Sequence, residues 1–270
     1  MLISDGRIDG GKPFDWGRTS EDYAKYRDIY PPEFYRKIIG LGLCVKGQDV
    51  LDVGTGTGVL PRHLYRFGAN WTGTDISPEQ IATAERLSRE AGMEIRYEAK
   101  ATEELDFPDG SFDVITACQC FWYFDHQRVM PLLHRFLRPG GRLLLLYMAW
   151  LPYEDEIAGA SEEIVLRFSP GWSGAGEKRK PIGIPAAACE YFAPEHHEEY
   201  DLAVPFTRES WHGRMKACRG VGASLSGEEL AAWEQAHREM LEARAPERFE
   251  VKHYAALSLL RRRDVRDGSE

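Results

Sequence analysis

Short apolar runs alternate with longer amphipathic stretches over the first half of the chain. Runs of four to six residues at 49–53, 71–75, 95–98, 112–117 and 142–147 read as strands buried on both faces. The stretches between them repeat apolar positions at helical spacing and predict helices over 33–39, 59–66, 78–90 and 126–136. Pro78 suits a first helical turn, and Gly92 and the RPGG of 138–141 read as stops after their helices. Strand–helix alternation of this kind predicts a parallel sheet with helices on both faces.

After Tyr147 the alternation fails. Residues 150–194 carry a helical stretch, 153–167, and the Gly/Pro-rich loop SPGWSGAGEKRKPIGIP, and read as an insertion. Further strands are expected at 200–206 and 249–260, with helices at 210–216 and 228–244 between them. A helix from about Thr19 follows a Gly-rich N-terminal segment, residues 1–18, expected to be a mobile arm. The expected organisation is one domain. Residues 1–32 form the arm and first helix, 33–149 the core, 150–194 the insertion and 195–262 the last two strands with a helical segment 208–246. A charged tail, 263–270, ends it.

Composition narrows the function classes. The chain has 270 residues, 43% of them hydrophobic, and a formal charge of −9. That balance argues against nucleic-acid binding, which needs a cationic surface. No apolar run is long enough for a membrane span, and the N-terminus has no signal-peptide pattern, so the cytoplasm is expected. Five scattered cysteines read as reduced thiols.

The candidate chemistry starts at DVGTGTG, residues 52–58, directly after the first predicted strand. Ligands of open α/β sheets bind at the carboxyl ends of strands, so this loop lies where a ligand binds. It lacks the Gly-Lys-Ser/Thr of a phosphate loop, and Val59 replaces the third glycine of the dinucleotide pattern. Asp75 lies 21 residues after Gly54, at the end of the second strand, where a carboxylate accepts ribose hydroxyls. Asp52 disfavours a nearby anion and attracts an ammonium group.

VLDVGTGTG, GTDIS, FPDGSFDVITACQCFWYFD and LRPGGRLLLLY follow one another in the order and spacing of the class I S-adenosylmethionine-dependent methyltransferases. The chain resembles that family over roughly residues 20–150, in particular its small-molecule enzymes of the ubiquinone/menaquinone and trans-aconitate types. The resemblance implies a Rossmann-like α/β fold of seven strands, mostly parallel, with a final antiparallel strand. It implies S-adenosyl-L-methionine as cofactor. Gly54, Thr55 and Gly56 would approach its methionine and ribose part, and Asp52 would hold the amine directly or through water. Asp75 would bind the ribose, Ile76 would pack on adenine and Gln119 would face the methionine part. Tyr23, Tyr26 and Arg27 fall on a segment resembling the cofactor-covering helix, with Arg27 facing the methionine carboxylate. Ala101 stands where many relatives carry Asp, so the backbone at Thr102 or the side chain of Glu103 would meet the adenine edge.

Methyl transfer needs alignment and exclusion of water more than a dedicated base, and no residue pattern names a catalytic base. Acceptor recognition is expected outside the core. In WHGRMKACRG, residues 211–220, His212, Lys216 and Arg219 share one helical face. This is either a solvated basic face or a lid whose His212, Arg214 or Arg219 binds an anionic acceptor. Trp122, Tyr147, Trp150, Trp172 and Trp211 suggest walls for a small apolar or aromatic acceptor. Cys118 and Cys120 read as small fillers near the cofactor rather than metalloid ligands, and no metal site is expected. Two other readings are a nicotinamide-dependent oxidoreductase and a non-catalytic S-adenosylmethionine-binding protein.

Overall fold

The computed structural model describes residues 2–6 and 8–264; the side chains of Ser20, Glu21 and Tyr23, and most of the expected tail, lie outside that description. Seven strands run β1 Asp49–Val53, β2 Asn70–Asp75, β3 Arg96–Ala99, β4 Phe112–Cys118, β5 Leu137–Trp150, β6 Phe192–Thr207 and β7 Arg248–Arg262. They form one sheet in the order β3-β2-β1-β4-β5-β7-β6. The β1–β2, β2–β3, β1–β4 and β4–β5 pairs are parallel. Arg208 N–H donates to Glu247 O, and Arg263 N–H to Tyr191 O, so the start of each of β6 and β7 lies against the end of the other. These two strands are therefore antiparallel, as the resemblance implies.

The nine helices assigned among the described residues are α1 Ser20–Tyr26, α2 Pro32–Gly40, α3 Val59–Leu64, α4 Pro78–Glu90, α5 His126–Phe136, α6 Glu156–Phe168, α7 Ala186–Tyr191, α8 Arg208–Lys216 and α9 Gly227–Arg244. Local chemistry sets several starts. The Ser77 hydroxyl caps α4 through Gln80 N–H with Pro78 next to it, and Asp125 caps α5 through Gln127 N–H. Two starts, at Thr207 and Ser226, are full capping boxes.

The chain divides into two compact units. One, the sheet unit, holds residues 32–148, 181–200 and those from 255 onward; the other holds residues up to 31, 149–180 and 201–254. The sheet unit is built on β1 and β4. Leu51, Val53, Ile115 and Ala117 are fully buried, against Val129, Leu133 and Phe136 of α5. Each such aliphatic side chain contributes about 1.5–3 kcal/mol by leaving water.

Two expectations change. The RPGG of 138–141 does not separate α5 from a strand, because β5 begins at Leu137. Leu137 pairs with Phe112 and Arg142 with Val114, so the extra residues bulge out of the ladder, with Gly140 at φ 77°. The N-terminal arm is not loose either. Ile3 bridges Phe14, which is buried, and Asp9 makes a buried bidentate ion pair with Arg219, at 2.6 and 2.9 Å. Ser173 N–H and Oγ–H also donate to Asp9.

Burial alone would raise the Asp9 pKa, but the hydrogen bonds from Arg219 and Ser173 outweigh it and hold the carboxyl below its usual value of 3.8. A depressed folded pKa stabilises above the unfolded value and is lost as pH falls through the folded one. Asp9→Ala, which strands a buried guanidinium, is expected to cost about 3–5 kcal/mol at pH 7. Urea denaturation should show the deficit shrinking as the pH is lowered through the Asp9 titration.

Candidate active site

The carboxyl ends of β1, β2 and β4 converge on the loop 54–58 in the sheet unit. Gly54 and Gly56 are half-exposed, while Thr55 and Thr57 point inward and are buried. The loop takes left-handed backbone at Gly54 (φ 64°) and Gly58 (φ 72°). A Cβ on Gly54 would lie 2.7 Å from Cys120, and one on Gly58 2.3 Å from the Tyr97 hydroxyl. Glycine is thus required at both for conformation and for space. Thr55 N–H donates to Thr74 O at 2.8 Å, which ties the loop to β2.

Asp52 sits beneath this loop, 2% exposed. Sheet register puts it beside Thr116 of β4. Its two oxygens accept from Thr116 Oγ1–H and Thr55 Oγ1–H, both at 2.6 Å. Burial pushes its pKa up to about 6, against the two hydroxyl bonds and with a further push from Asp75. No cation is among these causes. Asp52 is thus covered by the loop, with both oxygens already accepting a hydrogen bond. Thr116 did not figure in the sequence reading; only the β1–β4 register reveals it.

Asp75 ends β2. Its oxygens accept from Gly56 N–H and Ser77 N–H, each at 2.9 Å. A carboxylate has about four lone-pair sites, so two bonds leave capacity for vicinal hydroxyls. Burial raises its pKa in spite of the two backbone bonds. Ile76 beside it is 42% exposed, an apolar side chain left on the surface next to the Asp75 carboxylate. Ser77, the cap of α4, is a second site residue outside the sequence prediction, although its position before Pro78 was a readable signal. Thr102 is buried in a short 3-10 turn, and the Glu103 carboxylate accepts from Asp125 N–H at 2.9 Å.

At the end of β4, Gln119 adopts φ 64°, a left-handed value costing a non-glycine residue about 1–2 kcal/mol. Its amide donates to Met148 O and its backbone N–H to Leu146 O. Cys120 Sγ–H donates to Val53 O at 3.0 Å and lies against Gly54. Burial raises the Cys120 thiol pKa well above its usual value, which suits a filler. Trp122 is 43% exposed and meets Tyr147 edge-on, ring centroids 4.9 Å apart. Among the described residues no group of three His, Cys, Asp or Glu side chains is placed to hold a metal.

The remaining predicted residues belong to the other unit. Tyr23 lies in α1 and Arg27 directly after it; the Tyr23 side chain is outside the described residues. Of the basic face expected on 211–220, His212 and Arg219 are buried and Lys216 is partly exposed, paired with Glu234 and Asp22; Arg214, off that face, is buried as well. His212 Nδ1 lies 2.9 Å from His237 Nδ1, and His237 Nε2 is 3.1 Å from Ser161 Oγ. Burial pulls the two imidazoles down to about 4 and about 3, so both are neutral at pH 7 and His212 offers no positive charge to an anion. The Arg214 guanidinium lies over the Trp150 ring at 4.8 Å and donates to Cys218 Sγ. Arg219 is engaged by Asp9.

The fold is that of the Rossmann-like class I methyltransferases, with a glycine cradle at the carboxyl ends of its strands. Residues 51–145 match the methyltransferase domain family. Over 114 residues the chain is 37% identical to a demethylmenaquinone methyltransferase of Thermus thermophilus, covering 41% of this chain and 52% of that protein. Over 159 residues it is 30% identical to a ubiquinone biosynthesis O-methyltransferase of Nitrosococcus oceani, covering 57% and 66%. The chain thus spans about half to two thirds of the length of these relatives. Among solved structures, the YcgJ protein of Bacillus subtilis superposes with a TM-score of 0.52 at 21% identity, over 84% of this chain and 97% of that one. A phosphoethanolamine N-methyltransferase 2 of Haemonchus contortus, solved with phosphomonomethylethanolamine and S-adenosylhomocysteine, gives 0.52 at 19% identity, over 87% and 54%. At these identities the likeness is one of fold.

Asp52 makes the site less stable than it need be. Its folded pKa of about 6 lies above the ordinary 3.8, so its charge opposes folding above pH 6 and the opposition fades as pH falls toward 3.8. Asp52→Asn is therefore expected to stabilise the ligand-free protein at pH 7.5 by up to about 3 kcal/mol. Urea denaturation should show this gain shrinking to nothing near pH 4.

Proposed function

We propose that the chain is an S-adenosylmethionine-dependent methyltransferase acting on a small-molecule acceptor. The observation that carries this reading is the pair of carboxylates, buried Asp52 and half-buried Asp75, at a glycine cradle where no cation among the described residues figures in the causes of either pKa shift. Burial raises both pKa values, so a cationic ligand would relieve the two carboxylates, and Asp75 keeps acceptor capacity for ribose hydroxyls. A nicotinamide dinucleotide would bring its diphosphate to this same loop, next to two carboxylates, at a Coulombic cost.

When bound, S-adenosylmethionine supplies a methyl group activated on a sulfonium. The residues supply binding and order. Gly54 and Gly56 allow close backbone approach, Asp75 accepts from ribose, and Ile76 offers apolar cover for the adenine. Thr102 and Glu103 are assigned to the adenine edge, and the negative charge of Asp52 favours the ammonium end. Trp122 and Tyr147 form an aromatic surface in the same unit. With relatives named for quinones, this supports a small aromatic acceptor. Five free cysteines support a reducing compartment, the cytoplasm. No helix among the described residues is long and apolar enough to cross a membrane.

Calorimetric titration with S-adenosylhomocysteine tests the assignment of Asp75. Asp75→Ala should weaken binding by about 1.5–3 kcal/mol, the value of a hydrogen bond to a charged partner. A folded variant with unchanged affinity would remove Asp75 from the ribose role.

A further inference from the structure

We propose that Gln119 is a positioning residue for the cofactor loop, acting through β5 and Cys120 rather than by touching the cofactor. The inference rests on the methyltransferase reading of the same loop. Two side chains, one in β4 and one just past its end, support that loop. Thr116 holds Asp52 from below, and Cys120 lies against Gly54 with its thiol on Val53 O. Between them stands Gln119 at φ 64°. An extended residue there would continue the two-residue alternation of the strand. The left-handed residue ends that alternation and turns the chain, so that Cys120 meets Gly54 and the 3-10 turn Phe121–Tyr123 follows.

A glycine would take this φ without strain. What glutamine adds is the side-chain bond to Met148 O, beside its backbone bond to Leu146 O. These are successive carbonyls on one side of β5. The turn is therefore clamped to β5 twice, and the clamp fixes the direction in which Cys120 leaves β4. A residue that only stabilised the fold would move stability and binding together. A positioning residue separates them.

The test compares Gln119→Gly, which relieves the φ and deletes the clamp, with Gln119→Glu, which keeps length and φ but removes the donor. Three readouts apply to the full chain: thermal melting, calorimetric affinity for S-adenosylhomocysteine, and the rate at which N-ethylmaleimide labels Cys120, located by peptide mass. Gln119→Gly should melt no lower than the parent, bind S-adenosylhomocysteine at least tenfold weaker and label severalfold faster at Cys120. Gln119→Glu should show the same weakening and faster labelling. If either folded variant binds within twofold of the parent with unchanged labelling, the role is overturned while the methyltransferase reading stands. Affinity lost only in proportion to melting temperature overturns it too. A parent that binds no S-adenosylhomocysteine overturns the methyltransferase reading and this role with it.

Discussion

A carboxylate buried without a cation organises this site. Asp52 is held under the glycine loop by two hydroxyls, one from the loop itself and one from the neighbouring strand. Removing a charge from water is costly unless it is paired, and two neutral hydrogen bonds offset only part of that cost. The raised pKa records the remainder. A ligand cation on the outer face of the loop would relieve it. On the proposed reading, affinity for a cationic cofactor and the cost of Asp52 in stability have one origin.

The sheet makes the arrangement possible. Parallel pairing of β1 with β2 and β4 sets Asp52 opposite Gly73 and Thr116, and leaves Asp75 at the end of β2. Gly73 has no side chain where Tyr97 and Thr55 crowd in, so the loop can lie down on β2. The Asp75 carboxylate then binds the loop back through Gly56 N–H and the next helix through Ser77 N–H. Three strand ends, the loop and the start of α4 are joined by these hydrogen bonds. A change in any of them reaches the cradle.

The parts of this design that depend on local sequence were legible. β1, α4 and α5 follow from apolar periodicity, with Pro78 in the first turn of α4 and Gly92 after it, and the glycine loop with Asp75 follows from spacing. Non-local parts were hidden. The Asp52–Thr116 contact spans 64 residues and exists only because of strand register. The Asp9–Arg219 pair spans 210 residues, so the N-terminal segment looked loose and Arg219 looked available. In the same way 211–220 has a basic face by helical spacing, yet two of its three members, His212 and Arg219, are buried and His212 is neutral. Gln119 was legible as a position but not as a conformation, since nothing in CQC announces a left-handed residue.

The most direct measurement of the central claim is the proton balance of S-adenosylmethionine binding. Calorimetric titration at pH 6, in two buffers of different ionisation enthalpy, reads the protons exchanged. A cation settling over Asp52 should lower that group's pKa from about 6 and release roughly half a proton per site, with different heats in the two buffers. Binding with equal heats in both buffers, or no binding at all, would contradict the account.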